Sequence, residues 1–184
     1  MRIGGLVLAA GEGSRFGGIK QLAPLEGRPL LEHALAAVAA LSPRVVVLGH
    51  AAGEVLAGAD LQGAEAVVCE DWREGQSASL RCGVAALGPV DAAVVVLGDQ
   101  PRITAAVVAA VVAAAPGADA VRASYHGTPG HPVLLSRALL DRAGELRGDV
   151  GFREILDRAD VREVEAGGLA DPTDVDTREE LARL

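Results

Sequence analysis

The residues best suited to chemistry lie near the N-terminus, in the glycine-rich segment 11–20 that follows an apolar run. Four of its ten residues are glycine, and a glycine backbone can adopt positive φ and turn its N–H groups toward an anion. The segment also holds Arg15 and ends at Lys20, the only lysine among the 17 lysines and arginines of the chain. A compact ammonium suits a point contact with phosphate. The segment therefore predicts a phosphate-binding loop, and the alternative is a mobile surface loop with an accidental lysine.

Two common phosphate-binding motifs do not fit this segment. The dinucleotide fingerprint requires a third glycine at the position where this chain has Phe16. The P-loop requires a lysine and then Ser or Thr directly after its last glycine, whereas isoleucine follows Gly18 and Lys20 is followed by Gln21. The segment is therefore a phosphate loop of another kind.

Three aspartates are candidate metal ligands. Asp99 follows the apolar run 92–97 in a Gly-Asp-Gln-Pro turn, and a carboxylate at a strand end is suited to hold magnesium on a triphosphate. The alternative for Asp99 is a plain turn-forming role. Asp174 and Asp176 lie two residues apart and share a face if their segment is extended. Asp176 or Thr177 could also cap the C-terminal helix.

The spacing of apolar residues predicts strands that alternate with helices. Strands are predicted over 3–9, 44–48, 64–69, 92–97, 118–123, 133–135 and, at a sheet edge, 161–164. Helices are predicted over 29–41, 54–61, 77–87 with Ser77 as N-cap, after an N-cap at Thr104, and over 136–143, 150–158 and 177–184. This alternation predicts an α/β sandwich with a mainly parallel sheet in one domain over 1–184. The loops after the first, third and fourth strands then meet at one sheet edge, where ligands bind.

Composition excludes several classes of partner. The net charge is −8 and no basic cluster occurs, which argues against nucleic acid and anionic membranes. There is no secretory signal pattern, and the apolar stretch 103–115 is too short to span a bilayer. Cys69 and Cys82 lack metal or redox spacing and are expected to be small buried hydrophobes in a reducing compartment. We therefore expect a cytoplasmic protein.

Several segments together resemble a known family. They are Leu8-Ala9-Ala10-Gly11, Ser14-Arg15-Phe16-Gly17 with Lys20, 74–81 (EGQSASLR), 97–101 (LGDQP), 130–133 (GHPV), 148–151 (GDVG) and 174–177 (DVDT). In this order they resemble the MobA-like NTP transferases, and most closely the molybdenum cofactor cytidylyltransferases. The resemblance runs over nearly the whole chain.

The resemblance implies a Rossmann-like three-layer sandwich of the nucleotide-diphospho-sugar transferase type, and it implies nucleotidyl transfer. Lys20, Arg15 and Asp99 would be catalytic, and Asp99, Asp174 and Asp176 would hold Mg²⁺, with Asp174 preferred to Asp176 as the second carboxylate. The implied binding residues are Leu8, Ala9, Ala10, Gly11, Gly13, Ser14, Arg15, Lys20, Gln76, Ser77, Ser79, Arg81, Gly98 and His131. The implied partners are CTP or another NTP, a phosphorylated acceptor such as molybdopterin cofactor, and a molybdoenzyme or its maturation chaperone. His131 and the segment 147–153 are expected on the acceptor side.

The predicted nucleobase of the substrate depends on Ala10. Guanylyl-transferring relatives typically read Leu-Ala-Gly-Gly at this point, whereas cytidylyl-transferring relatives read Leu-Ala-Ala-Gly, as this chain does. The alternatives are a guanylyl, sugar-phosphate or alcohol-phosphate nucleotidyltransferase of the same fold, an NAD-dependent oxidoreductase, and a non-catalytic nucleotide-binding protein. The failed fingerprint and the lack of an acidic residue after the second strand argue against the oxidoreductase.

Overall fold

The central sheet determines where the predicted site residues lie. The computed structural model describes residues 1–184. The strands, β1 to β9 in chain order, are Ile3–Ala9, Pro24–Leu25, Arg28–Pro29, Arg44–Leu48, Glu65–Val68, Ala92–Leu97, Ala120–Tyr125, Thr128–Ser136 and Val161–Glu165. Seven strands form one sheet in the order β5-β4-β1-β6-β8-β7-β9, and β2 and β3 form a separate hairpin. Only β8 runs antiparallel to its sheet neighbours, so the mainly parallel sheet predicted from the sequence is confirmed.

Helices cover both faces of this sheet. The helices, α1 to α7, are Leu30–Ala37, Ala52–Gly58, Gln76–Leu87, Ala105–Ala113, Arg137–Leu140, Arg153–Leu156 and Arg178–Leu181. Side chains of α1 and α4 belong to one buried cluster, and those of α3 and α5 to another. Along β1, Val7 lies in the first cluster while Leu6 and Leu8 lie in the second, as the two-residue period of a strand requires. A strand buried on both faces reads as a continuous apolar run, and the predicted three-layer sandwich is confirmed.

The strands differ from the predictions in two places. The hairpin β2–β3 was not expected, because strands of two residues carry no periodicity; Glu26 and Gly27 turn it with φ of 52° and 79°, the geometry of a type I′ turn. The strand predicted over 133–135 extends over the whole of β8 and is antiparallel. Its prolines, Pro129 and Pro132, obscured the strand pattern in the sequence.

Helix ends also differ from the predictions. α1 ends at Ala37, four residues before the predicted end, and α3 begins at Gln76. The prediction of Ser77 as an N-cap is wrong, because Gly75 precedes the helix with φ of 108° and Ser77 lies inside it. The N-cap at Thr104 is confirmed, since its hydroxyl accepts from the Val107 N–H at 3.3 Å. None of the helices is both long and apolar enough to cross a lipid bilayer.

Candidate active site

The glycine-rich loop after β1 has a defined shape. Gly13 and Gly17 both adopt left-handed backbone conformations, with φ of 60° and 69°. Between them a 3-10 turn runs from Ser14 to Phe16. Phe16 is only 3% exposed and belongs to a small cluster of buried residues that includes Leu30. The buried phenyl ring therefore anchors the loop, and the glycines on either side of it provide the conformations that other residues rarely adopt.

Gln21 holds the start of this loop in place. Its side-chain amide donates to the carbonyl of Ala9 at 2.8 Å and to that of Gly11 at 3.1 Å. The Gln21 side chain is 4% exposed. Gln21, the residue that follows Lys20, thus holds the first residues of the loop in place. Sequence reasoning missed this role, and the only signal was a glutamine directly after the loop.

Lys20 lies at the centre of a cluster of charges. Its ammonium donates to Asp99 Oδ2 at 2.8 Å and to Asp176 Oδ1 at 3.1 Å. The second oxygen of Asp176 accepts from Arg15 at 2.8 Å. Burial alone would lower the pKa of Lys20, but the charges and hydrogen bonds of Asp99 and Asp176 outweigh burial and raise it. Lys20 therefore carries a positive charge at neutral pH, in a site where solvent screens it little.

The C-terminal segment reaches this cluster through backbone and side-chain bonds to the turn after β6. The Val175 N–H donates to the Asp99 carbonyl at 2.9 Å, and the Val175 side chain is fully buried. The Gln100 amide donates to Asp174 Oδ1 at 2.9 Å and to the Pro172 carbonyl at 3.0 Å. These bonds bring the segment 172–176 to the edge of the sheet that carries the glycine-rich loop. Gln100 was not among the predicted site residues.

The three aspartates offer carboxylate oxygens for a divalent cation. No group of three or more His, Cys, Asp and Glu side chains is arranged to hold a metal ion alone. Asp99 and Asp176 nevertheless share the Lys20 ammonium, and desolvation and the charge of Asp99 raise the pKa of Asp174 beside them. Magnesium on a nucleotide takes one or two protein carboxylates and completes its shell with water and phosphate oxygens. The donor set fits such an ion, completed by the nucleotide.

A pocket of about 590 Å³ opens beside this cluster. It is lined by Leu8, Ala10, Gly11, Glu12, Trp72, Arg73, Gly75, Gln76, Ser79, Leu97, Asp99 and Asp149. Leu8, Ala10 and Gly11 come from the end of β1, and Asp99 comes from the end of β6. A smaller cavity of about 70 Å³ joins Ala9, Gly13, Lys20 and Gly98 to the same edge. The size and position of the larger pocket suit a nucleotide.

Helix α3 presents only part of its predicted set to this pocket. Gln76 and Ser79, three residues apart, lie on the helix face that lines it. The Ser77 hydroxyl is buried and has no hydrogen-bond partner. Arg81 donates to the Leu146 carbonyl at 2.8 Å and pairs with Glu74 at 3.2 Å, outside the pocket. The structure therefore brings Gln76 and Ser79 to the pocket and leaves Ser77 and Arg81 away from it.

The loop before α6 separates the nucleotide-sized pocket from a second one. The Gln76 N–H donates to Asp149 Oδ1 at 3.1 Å, and the Ser77 N–H donates to the Gly148 carbonyl at 3.0 Å. The second pocket has a volume of about 230 Å³ and an apolar wall that includes Leu80 and Phe152. Arg122, His131 and Arg153 also line it. It lies on the side where the sequence predicted an acceptor.

His131 lies between this pocket and a larger one of about 810 Å³, which Gln100, Asp171 and Asp174 also line. Desolvation lowers the pKa of His131 to about 4, although the charge of Asp99 acts in the opposite direction. The His131 imidazole is therefore neutral at pH 7. A neutral imidazole with so low a pKa is a poor proton acceptor, so this side chain is suited to shape the pocket wall.

A parallel sheet whose carboxyl edge carries a glycine-rich loop, a buried lysine and paired carboxylates defines a protein that handles phosphorylated nucleotides. The family model of the MobA-like NTP transferase domain matches residues 5–164, and the chain belongs to this family. The resemblance to the MobA-like NTP transferases is thereby confirmed, and with it the nucleotidyltransferase class.

The similarity to individual relatives covers nearly the whole chain. Nicotine blue oxidoreductase of Paenarthrobacter nicotinovorans is 32% identical, over 98% of this chain and 95% of that protein. The crystal structure of Rv0371c from Mycobacterium tuberculosis H37Rv is similar with a TM-score of 0.89 and 34% identity, covering 100% of this chain and 96% of that one. A nucleotidyl transferase from Methanothermobacter is 25% identical with a TM-score of 0.83, covering 99% and 95% of the two chains.

A second structure of Rv0371c is a complex with manganese, with a TM-score of 0.85 and 33% identity over 100% of this chain and 98% of that one. A divalent cation is thus found with a relative of this protein. This is consistent with the oxygen-rich donor set around Lys20.

Proposed function

We propose that this protein transfers CMP from CTP to the terminal phosphate of a molybdopterin-type cofactor and releases pyrophosphate. The observation that carries the proposal is the position of the Lys20 ammonium, 2.8 Å from Asp99 and 3.1 Å from Asp176, at the end of a glycine-rich loop. These two carboxylates hold the ammonium at the edge of the cleft. It is therefore preorganised for the negative charge that develops during nucleotidyl transfer.

The glycine-rich loop and its two cations, Arg15 and Lys20, would contact different phosphates of the triphosphate. Exposed amides of the loop and the Arg15 guanidinium would hold the β- and γ-phosphates, since Arg15 is mostly exposed and held only by Asp176. Lys20 would neutralise charge on the α-phosphoryl oxygens as the new bond forms. The attacking acceptor phosphate is already anionic, so no general base is required. This agrees with a His131 whose pKa is about 4.

Asp99 and Asp176 would hold magnesium, with Asp174 as a neighbouring carboxylate. Both oxygens that contact Lys20 belong to these first two residues, and Asp174 is tied to the same turn through Gln100. A bound magnesium ion would neutralise phosphate charge and help to orient the two reactants. The carboxylates themselves keep Lys20 charged and aligned before any substrate enters.

The acceptor would bind in the pocket beyond the loop 148–151. Its wall combines the apolar side chains of Leu80 and Phe152 with Arg153 and with Arg122, whose guanidinium also pairs with Glu163 at 2.6 Å. A planar ring system with a phosphate needs such a combination, an apolar surface for the rings and a cation for the charge. The identity of the acceptor as a molybdopterin rests on the family resemblance.

The test is a turnover assay with each NTP in turn, magnesium and molybdopterin as acceptor, in which released pyrophosphate is measured. We expect pyrophosphate with CTP, and none when the acceptor is omitted. Asp99→Asn is the matched inactive control, because it keeps the size of the side chain and removes its charge. Tight nucleotide binding without pyrophosphate release for any acceptor would favour a non-catalytic binding protein.

Ala10 provides a separate test of which nucleobase the protein prefers. Its side chain is 5% exposed and lies in the lining of the nucleotide-sized pocket. A methyl group at this position takes space that a two-ring purine needs more than a one-ring pyrimidine does. Discrimination by one methyl group amounts to about 1–3 kcal/mol.

We predict a higher kcat/KM for CTP than for GTP in the parent protein. Ala10→Gly should raise the use of GTP relative to CTP by roughly tenfold, the lower end of that range. The measurement is kcat/KM for both nucleotides with one acceptor at a fixed concentration. A parent protein that prefers GTP contradicts the assignment of CTP and leaves nucleotidyl transfer intact.

A second candidate function is oxidoreduction, because a relative with 32% identity over nearly the whole chain is an oxidoreductase. Against it, the position at which a dinucleotide fingerprint needs glycine is filled by the buried ring of Phe16. Loss of NADH or NADPH absorbance on addition of nicotine blue, the compound in that relative's name, tests this candidate directly. Turnover in that assay together with no pyrophosphate in the first would overturn the proposal of nucleotidyl transfer.

A further inference from the structure

The two cysteines meet although they are thirteen residues apart in the sequence. The Cys82 thiol lies 2.6 Å from the Cys69 sulfur. Both are free thiols, Cys69 fully buried and Cys82 half-buried. The sequence predicted two inert core residues because it carries no redox motif at this spacing. The contact arises from the fold, which brings the end of β5 against α3.

Backbone contacts hold the two cysteines close together. The Cys69 N–H donates to the Leu48 carbonyl at 2.8 Å, so Cys69 continues the pairing of β5 with β4. On the other side, Gly83 allows α3 to approach the sheet closely, because a Cβ at this position would lie 2.8 Å from Val47 Cγ2. The helix residue next to Gly83 is thereby held against the strand end. Little movement is needed to join the two sulfur atoms.

We propose that Cys69 and Cys82 form a reversible intramolecular disulfide that clamps the nucleotide side of the cleft. Peroxide is the oxidant. The half-buried Cys82 sulfur attacks one peroxide oxygen, the O–O bond breaks, and water leaves with formation of a sulfenic acid. The Cys69 sulfur then displaces the hydroxide from Cys82, and the Cys69 proton joins that hydroxide as a second water. Two thiols are oxidised and one peroxide is reduced.

The order of these steps follows from the surroundings of each thiol. Burial, and then the neighbouring Cys82, raise the pKa of the Cys69 thiol to about 12. Cys69 is therefore a poor first nucleophile, because the thiolate is the reactive form. Cys82 has partial access to solvent and reacts first.

The bond closes a loop that contains part of the nucleotide-sized pocket. Trp72, Gln76 and Ser79 lie between the two cysteines and line that pocket. A cross-link across a loop of this length restricts the unfolded chain and stabilises the folded one. We expect the oxidised protein to unfold at a temperature about 5–10 °C higher than the reduced protein.

The experiment treats the full-length protein with hydrogen peroxide and then blocks the remaining thiols. We expect accessible thiols in denaturant to fall from two to none and the mass to fall by about 2 Da, with both changes reversed by dithiothreitol. Cleavage after arginine should yield peptide 45–73 joined to peptide 82–102. Two thiols remaining after treatment, mass gains of oxygen on Cys82 without a cross-link, or a dimer joined through Cys82 would each overturn the proposal.

Cys82→Ser is the main control, because residue 82 is half-buried and tolerates a hydroxyl. This variant should show no peptide cross-link and no rise in unfolding temperature with peroxide. Cys69→Ala is the second variant, since it leaves no polar group in a fully buried position. A rise in unfolding temperature of equal size in parent and Cys82→Ser would show that the cross-link is not the cause.

Discussion

Lys20 sets the electrostatic balance of the site at the scale of single residues. One ammonium holds two carboxylates, from Asp99 and Asp176, and its raised pKa keeps it charged. The sequence indicated the importance of this residue because Lys20 is the only lysine of the chain. It could not indicate the partners, since Asp99 and Asp176 are distant along the chain and meet Lys20 only through the fold.

Lys20→Ala should lower kcat far more than it weakens nucleotide binding, because its charge is needed most where charge develops. We expect a loss on the order of a hundredfold or more, as for other preorganised donors. Lys20→Arg should also be poor, since a planar guanidinium docks differently. The measurements are kcat and nucleotide Kd.

The control is Arg28→Ala, which removes an exposed cation from the β2–β3 hairpin, away from the Lys20 cluster. Circular dichroism should show folded protein for every variant. Near-parental turnover in Lys20→Ala would exclude Lys20 from the catalytic set.

His131 makes a prediction about stability in acid. The pKa of His131 in the folded protein is about 4, against an ordinary value of 6.5 for histidine, so between these pH values the unfolded chain binds more protons than the folded one. The stability present above pH 6.5 is therefore lost as the pH falls toward 4. The loss due to His131 should be roughly 2–3 kcal/mol, because its side chain keeps some contact with solvent.

Urea unfolding at pH 7 and pH 4 measures this loss. In His131→Gln the free energy of unfolding should fall less between the two pH values than in the parent. His126→Gln, which changes an exposed histidine, should behave like the parent. Equal acid sensitivity in parent and His131→Gln would show that the imidazole is not held neutral by the fold.

At the scale of elements, regular patterns were predictable and non-local contacts were not. β1 and β6 were identified from continuous apolar runs, because both faces of these strands are buried. The start of α3 was misjudged since it is set by Gly75 and by Asp149, which lies far along the chain from it. The direction of β8 was not predicted, because nothing in a strand's own residues distinguishes a parallel from an antiparallel partner.

The start of α7 couples helix capping to the site. The Thr177 hydroxyl accepts from the Glu180 N–H at 3.2 Å, and the Glu180 carboxylate accepts in return from the Thr177 N–H at 2.8 Å and also from the Asp176 N–H at 2.7 Å. This is a capping box directly next to the carboxylate that holds Lys20 and Arg15. The sequence left the roles of capping and ligation open for this segment, and the geometry assigns the cap to Thr177.

Thr177→Ala should cost about 1 kcal/mol of stability, equivalent to about 2–4 °C in unfolding temperature. It should also lower kcat by roughly threefold to tenfold, because Asp176 loses its fixed position. Thr104→Ala is the control: it removes the N-cap of α4 together with a hydrogen bond to the Leu169 carbonyl, neither of which involves the charge cluster, and it should lower the unfolding temperature without changing kcat. If kcat were the same in Thr177→Ala and Thr104→Ala, the Thr177 cap would have no part in positioning Asp176 for catalysis.

At the scale of the whole molecule, the net negative charge of the protein repels its proposed substrate, a nucleoside triphosphate. The chain carries a net charge of −8. The cluster itself has two cations, Lys20 and Arg15, and three carboxylates, so its own balance is one negative charge. Convergence at the carboxyl edge of the sheet was predictable from the order of the elements. This charge balance was not predictable, because it depends on the non-local contacts that place the segment 172–176 beside Asp99.

A negatively charged site should bind a triphosphate well only with a divalent cation. We expect removal of magnesium to weaken CTP binding by at least about tenfold, or about 1.4 kcal/mol, and not merely to stop turnover. Isothermal titration of CTP with magnesium and with EDTA measures this difference. An unchanged Kd in EDTA would mean that the cations of the loop suffice for binding.

Asp99→Asn tests the cause of that dependence. Removing one carboxylate removes repulsion toward the triphosphate, so binding without magnesium should become severalfold tighter than in the parent, while turnover is lost. Asp91→Asn is the matched control, because it changes the net charge by the same amount just before β6, at the opposite end of the strand from Asp99. If both variants tightened binding equally, the field of the whole molecule would be the cause, and if only Asp99→Asn did so, the cause would lie in the cluster around Lys20.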